Sequence, residues 1–238
     1  EILPGAENGA QDGDLVSAEL SKQRAYGLPQ ARVREKLGSL KSERAVSLIA
    51  IHAHGIPNVF PRDTLAEAER AGPATMKDRE DWRHVPLVTI DPPDAKDHDD
   101  AVFAEADADP NNKGGYIVTV AIADVAYYVT PGSALDRTAL ERGNSVYFPD
   151  RVVPMLPEAI SNDLCSLREK VDRPALAARM VISHDGRKLK HSFHRIMMKS
   201  AAKLSYRQAQ DALDGRPDDA TGPLMERVLN PLFAAYSA

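Results

Sequence analysis

The sequence predicts an α+β fold: a mixed, mainly antiparallel sheet with flanking helices. Three observations carry this. Tyr116–Ala123 is a long, β-branched and largely apolar run, the texture of a central strand. Ala178–Ser183 and Leu189–Ile196 flank Asp185-Gly186, a strand–turn–strand hairpin. Between and after these runs lie helical patterns at Ala134–Arg142, closed by Gly143, and at Ser205–Leu213. Strands joined by hairpins and interrupted by helices give α+β rather than a parallel α/β sheet.

In chain order, residues 1–40 are rich in Gly and charge. Gly13–Leu20 reads as a strand entered through a turn, Ala31–Leu37 as another, and Gly38-Ser39 breaks the pattern. Two strands cannot close a sheet, so this reads as the tail of a small β-barrel whose beginning is missing. Ser42 has the chemistry of a helix N-cap for residues 43–54, stopped by Gly55. His52 and His54 are two apart, cannot share a helix face, and cap or pack rather than bind metal. Asp63 caps a short helix, Thr64–Arg70, and residues 41–84 form a connector. Val85–Ile90 and Ala101–Glu105 are short strands, and the polar 106–115 is a hairpin loop. The proline-rich Tyr147–Pro157 is expected to be irregular, and Thr221 onward helical.

Composition is that of an ordinary globular protein: 238 residues, net charge −5, and a single cysteine, Cys165, which excludes an internal disulfide framework. There is no secretory signal and no apolar run long enough to span a bilayer, so a cytoplasmic location without membrane association is expected. The net acidity argues mildly against nucleic acid, but charge is uneven. Acids gather at Asp91–Asp109 and Asp211–Asp219, bases at Lys22–Lys41 and at Arg187, Lys188, Lys190, Arg195, Lys199 and Lys203.

The most informative stretch is Thr89–Val102, with five carboxylates between Asp91 and Asp100 directly after an apolar run. Carboxylates this close raise one another's pKa, so the cluster costs stability unless a cation neutralises it. Composition alone allows a solvated loop, a calcium site or a catalytic Mg²⁺ site. An EF-hand starting at Asp97 would need an acid and a Gly where Ala101 and Val102 stand, and fails. Zinc-hydrolase, phosphate-loop and nucleophile-elbow patterns are also missing. Oxygen-only ligands with one nearby His suit Mg²⁺ or Mn²⁺. Asp97, Asp99 and Asp100 cannot share a face of a regular element, so a converging loop is required.

Here the chain resembles a known family. Thr89-Ile90-Asp91 followed by Asp97-His98-Asp99-Asp100-Ala101-Val102 is similar to the signature of the ribonuclease II/ribonuclease R (RNB) superfamily catalytic domain. The likeness continues through Val120–Val129, Pro131-Gly132-Ser133, Arg142–Pro149, Val153–Pro157, Leu164-Cys165-Ser166-Leu167 and Ala202–Tyr206, in the family's order over about residues 85–210. Ser145–Pro154 is nearer the ribonuclease R branch, and residues 1–40 resemble the end of a cold-shock OB-fold barrel. The organisation implied is 1–40 as the cold-shock tail, 41–84 as a helical connector and 85–238 as the first part of the catalytic domain.

The resemblance implies a processive, Mg²⁺-dependent 3′→5′ exoribonuclease that converts single-stranded RNA to nucleoside 5′-monophosphates, Mn²⁺ being a possible substitute. It places Asp91, Asp97, Asp99 and Asp100 in the catalytic, metal-binding set, with Asp99 the essential one. Tyr147 matches a tyrosine packing at the RNA 3′ end, and Tyr206 one contacting RNA further along. Asp124, ending the central strand, is expected to hold structure rather than metal. Pro92-Pro93 departs from the family's usual Gly- or Ser-containing start and restricts Asp91 to extended backbone. The family's later helices, carrying a phosphate-contacting base, a second stacking aromatic and a further acid, find no counterpart in these residues, so a fragment is expected. A piece that binds RNA and Mg²⁺ without cleaving is the alternative, and a Mg²⁺-dependent phosphatase a weaker third.

Overall fold

The computed structural model describes residues 1–21, 29–39 and 45–238. The expected N-cap Ser42 and, of the basic Lys22–Lys41 cluster, Lys22, Arg24 and Lys41 lie outside the described residues. In chain order the elements are β1 (Asp14–Leu20), β2 (Ala31–Ser39), α1 (Ala45–Ala53), α2 (Arg62–Arg70) and β3 (Glu80–Asp81). Next come β4 (Val88–Asp91), β5 (Asp100–Ala106), β6 (Tyr116–Ala123), α3 (Val125–Tyr128) and α4 (Ala134–Arg142). The chain continues with β7 (Val146–Phe148), β8 (Arg151–Val153), β9 (Asp172–Ile182), β10 (Lys188–Lys199), β11 (Ala202–Ser205), α5 (Tyr206–Leu213) and α6 (Asn230–Ser237).

The chain divides into two compact units, Glu1–Pro61 with Thr138–Met155, and Arg62–Arg137 with Leu156–Ala238. In the first, β1 and β2 pair antiparallel with register shifts at Leu15/Val16 and Ser17/Ala18. Its second pair, β7–β8, corrects the expectation of an irregular Tyr147–Pro157. Proline at 149 sits in the turn and at 154 beyond the strand, so neither removes a ladder donor, and Val146, Val152 and Val153 supply β-branched side chains.

The second unit is built on a seven-stranded sheet in the order β11-β4-β5-β6-β9-β10-β3. Its four central pairings are antiparallel, and the two outermost, β11–β4 and β10–β3, are parallel. The expected central strand is indeed internal, as β6. Alternation decides which side is buried: the cross-strand row Ala101–Ala121–Ala177 lies at 0–1 % exposure, while its neighbours one residue on, Ile122 and Leu176, remain half exposed. The expected hairpin closes at Gly186, whose φ of +78° is the left-handed conformation that a tight turn needs. Its strands run longer than the apolar runs suggested: residues 172–177 extend β9 and 197–199 extend β10, and the two pair with each other, with Met197 and Met198 buried.

Two edge strands of this sheet were not expected from the sequence. β3 and β11 are too short for periodicity to register, and each forms only by pairing with a strand remote in sequence. β11 leads directly into α5, where Ser205 and Gln208 form a reciprocal capping box. Leu87, Val88, Ile160, Leu167 and Leu204 are among the fully buried side chains of this unit's core.

Candidate active site

The acidic stretch occupies the connection between β4 and β5. Asp91 is the last residue of β4 and Asp100 the first of β5, so the antiparallel pairing of these strands holds both ends of the loop at one end of the sheet. Asp91 and His98 are both buried, and Asp91 Oδ2 lies 2.7 Å from His98 Nδ1. A buried carboxylate needs such a partner to offset its desolvation. His98 is the residue that sequence reading passed over. In the sequence it stands only as the one His beside the acids, with no role assigned, although it is 4 % exposed.

The loop's main chain is held from two sides. Leu167 N–H donates to His98 O at 2.6 Å, and His98 N–H donates to Ser166 Oγ at 3.4 Å. Ser166 Oγ in turn donates to Lys96 O at 3.3 Å. On the other side, Ala123 N–H at the end of β6 donates to Asp99 O at 2.8 Å. The Leu164–Leu167 motif therefore acts as a brace for the aspartates, a role its sequence did not disclose. It follows a π-helical turn, Ala159–Leu164, whose wide bore is closed by Cys165 N–H donating to Ile160 O at 2.8 Å.

Asp99 and Asp100 lie on the open rim of the loop. Partial burial pushes both carboxyls above the ordinary carboxylate range. The charges of Asp97 and Asp91 add to this at Asp99, and those of Asp99 and Asp91 at Asp100. Asp99 and Asp100 thus feel the neighbouring carboxylates, which is the electrostatic condition that a bound cation would relieve. Among the described residues, no three His, Cys, Asp or Glu side chains are gathered into a finished metal cage. The donor chemistry, all carboxylate oxygen with Asp99 and Asp100 raised, fits a hard divalent cation.

Tyr206 is the first residue of α5, immediately after Ser205, which pairs with Asp91 across β11–β4. It is 60 % exposed at the same end of the sheet as the aspartates. Tyr147 belongs to the other unit, on β7, and is also exposed. Asp124 sits elsewhere in function: it is buried and accepts from Arg79 Nη2 at 2.7 Å and Arg195 Nε at 2.9 Å. Burial would raise its carboxyl, but Arg195 and Arg79 outweigh it and hold the group below the usual range. That is a structural clamp, in line with the sequence-based expectation.

An RNB domain model matches residues 79–236, and a Cold shock domain model matches residues 2–61. The chain belongs to the RNB family. A ribonuclease R from Vibrio parahaemolyticus is 42 % identical over 236 residues, covering 96 % of this chain and 28 % of that protein. The chain thus spans little more than a quarter of this relative's length. Among solved structures, Mycoplasma genitalium RNase R in complex with double-stranded RNA superposes with a TM-score of 0.84 at 26 % identity, over all of this chain and 42 % of that one. The same RNase R in complex with ribose-methylated single-stranded RNA gives 0.81 at 28 % identity, over all of this chain and 37 % of that one. The mixed, mainly antiparallel sheet is therefore the RNB sheet, and the four aspartates lie inside the matched RNB segment. No described helix is long and apolar enough to cross a membrane.

Proposed function

We propose that this chain carries the acidic centre of a Mg²⁺-dependent, processive 3′→5′ exoribonuclease that hydrolyses single-stranded RNA to nucleoside 5′-monophosphates. The observation that carries the reading is the group of four aspartates in the β4–β5 connection, where Asp99 and Asp100 have raised carboxyls, with the exposed Tyr206 beside it. Membership of the RNB family and the ribonuclease R relatives support it. The division into a cold-shock tail at 1–40, a connector at 41–84 and a catalytic portion at 85–238 belongs to the same proposal.

In this reading Asp91, Asp97, Asp99 and Asp100 hold the metal, Mg²⁺ or Mn²⁺. When bound, the ion supplies Lewis-acid neutralisation of charge on the scissile phosphodiester. The protein's own contribution is positional. His98 fixes Asp91, while Ser166, Leu167 and Ala123 fix the main chain on which Asp99 is mounted. Tyr206 offers a sequence-tolerant stacking face for a base, and Tyr147 would receive the 3′ end.

Because most of the relatives' length lies outside this chain, a second reading is an RNA- and Mg²⁺-binding module without cleavage. End-labelled single-stranded RNA, incubated with Mg²⁺ or with EDTA, separates the two. Metal-dependent mononucleotide release is the expected result, and a gel shift without cleavage selects the module. Tyr206→Ala is expected to weaken single-stranded RNA binding by about 1–3 kcal/mol, measured by fluorescence anisotropy in EDTA so that no substrate is consumed. Wild-type affinity in that variant would remove Tyr206 from the RNA path.

A further inference from the structure

Arg173 is a buried cation with no role in the reading above. It lies near the start of β9 at 6 % exposure, and its three donor groups all reach back to one segment. Nε donates to Ser166 O at 2.9 Å, Nη2 to Asp163 Oδ1 at 2.7 Å and Nη1 to Asp172 O at 3.4 Å. Burying a guanidinium costs several kcal/mol, and an apolar side chain of similar volume is often as stable or more so. What the arginine adds is directional: a planar fork reaching three acceptors determines one path for residues 163–172. Asp163 also receives Arg168 at 3.0 Å, so the far end of that segment is itself anchored.

The segment so fixed is the one that braces the acidic loop. Ser166 is fully buried and Leu167 is 1 % exposed, and between them they hold both the N–H and the O of His98. His98 in turn carries Asp91 on its side chain and precedes Asp99 directly. We infer that Arg173, acting through Ser166 and Leu167, is a positioning residue for the metal-holding aspartates. At 6 % exposure it acts on them only through that segment. The inference rests on the proposed metal site, but its first readout does not.

Amide hydrogen exchange on the chain and on Arg173→Met tests it. Residues 97–100 and Leu167 are expected to exchange at least about tenfold faster in the variant, while the central amides of β6 and β9 keep their protection. Ser166→Ala removes only the Oγ contacts, and is expected to give a smaller change at the same amides if Arg173→Met does not fold. Mn²⁺ affinity, followed by its paramagnetic resonance signal, is expected to fall by about ten- to a hundredfold in Arg173→Met, the usual effect of losing an outer-shell partner. Unchanged exchange at 97–100 overturns the inference, as does acceleration spread evenly over the sheet, which would make Arg173 a general core residue. If the unsubstituted chain itself fails to bind Mn²⁺, the metal reading falls, and the exchange pattern still decides the brace.

Discussion

Asp99→Asn is expected to abolish RNA degradation while leaving RNA binding nearly intact and stability unchanged or slightly higher. The substitution keeps the shape and removes one negative charge from the open rim of the loop. If Asp99 helps hold the ion that offsets charge on the scissile phosphate, its loss should lower kcat by about a thousandfold or more, roughly 4 kcal/mol of transition-state stabilisation. The stability side runs the other way. Partial burial, with Asp97 and Asp91 nearby, raises the Asp99 carboxyl above its ordinary range in the folded chain. Without metal, its ionised form therefore opposes folding at neutral pH, and that cost disappears as pH falls through the raised value. Asparagine removes the cost at every pH. Loss of mononucleotide release together with an unchanged or higher melting temperature is the expected pair of results, measured on the full-length protein. Undiminished release would sink the assignment of Asp99.

Asp124→Asn is expected to do the opposite, damaging the fold first. Asp124 neutralises Arg79, whose side chain is 2 % exposed and whose Nε and Nη1 already lack hydrogen-bond partners. Removing the carboxylate's charge leaves a buried guanidinium with only the Tyr127 ring face, 5.1 Å from its Cζ, to offset it, a loss of about 3–5 kcal/mol. Arg195 is half exposed and can turn to water, so Arg79 carries most of the effect. The pH dependence has a defined sign. Burial raises the Asp124 carboxyl, but Arg195 and Arg79 lower it by more, so its folded-state value lies below the unfolded one. The stability it contributes is present above the ordinary carboxylate range and is lost as pH falls through the depressed value. Urea unfolding at neutral and acidic pH should therefore show a gap between wild type and variant that narrows with acid. A change below about 1 kcal/mol at neutral pH would show that the clamp is not holding the fold. Because Ala123, which anchors Asp99 O, directly precedes Asp124, loop geometry should suffer as well.

Much of this was legible in the sequence because it is written in local chemistry. The apolar, β-branched run at Tyr116–Ala123 is a strand wherever it is placed. Asp185-Gly186 makes a turn because only glycine adopts that backbone angle cheaply, and Ser205 with Gln208 caps α5 within four residues. The acidic set was visible for the same reason, since like charges crowded into ten residues demand an explanation. The proline-rich stretch at 147–157 is misleading because proline disfavours strand only within a ladder, and its prolines fall outside that of β7 and β8.

Only the tertiary structure could decide which groups support the aspartates. His98 faces Asp91 across a loop, Ser166 and Leu167 reach His98 from some seventy residues away, and Arg173 fixes those two from the next strand. Arg79 and Arg195 meet on Asp124 from opposite sides of it in the chain. Each of these contacts satisfies a buried polar group, and burial is a property of the folded sheet that no run of neighbouring residues specifies. The sequence by itself determined the long internal strands, the Asp185-Gly186 turn and the acidic cluster; the closing of distant segments around a desolvated carboxylate determined what holds that cluster in place.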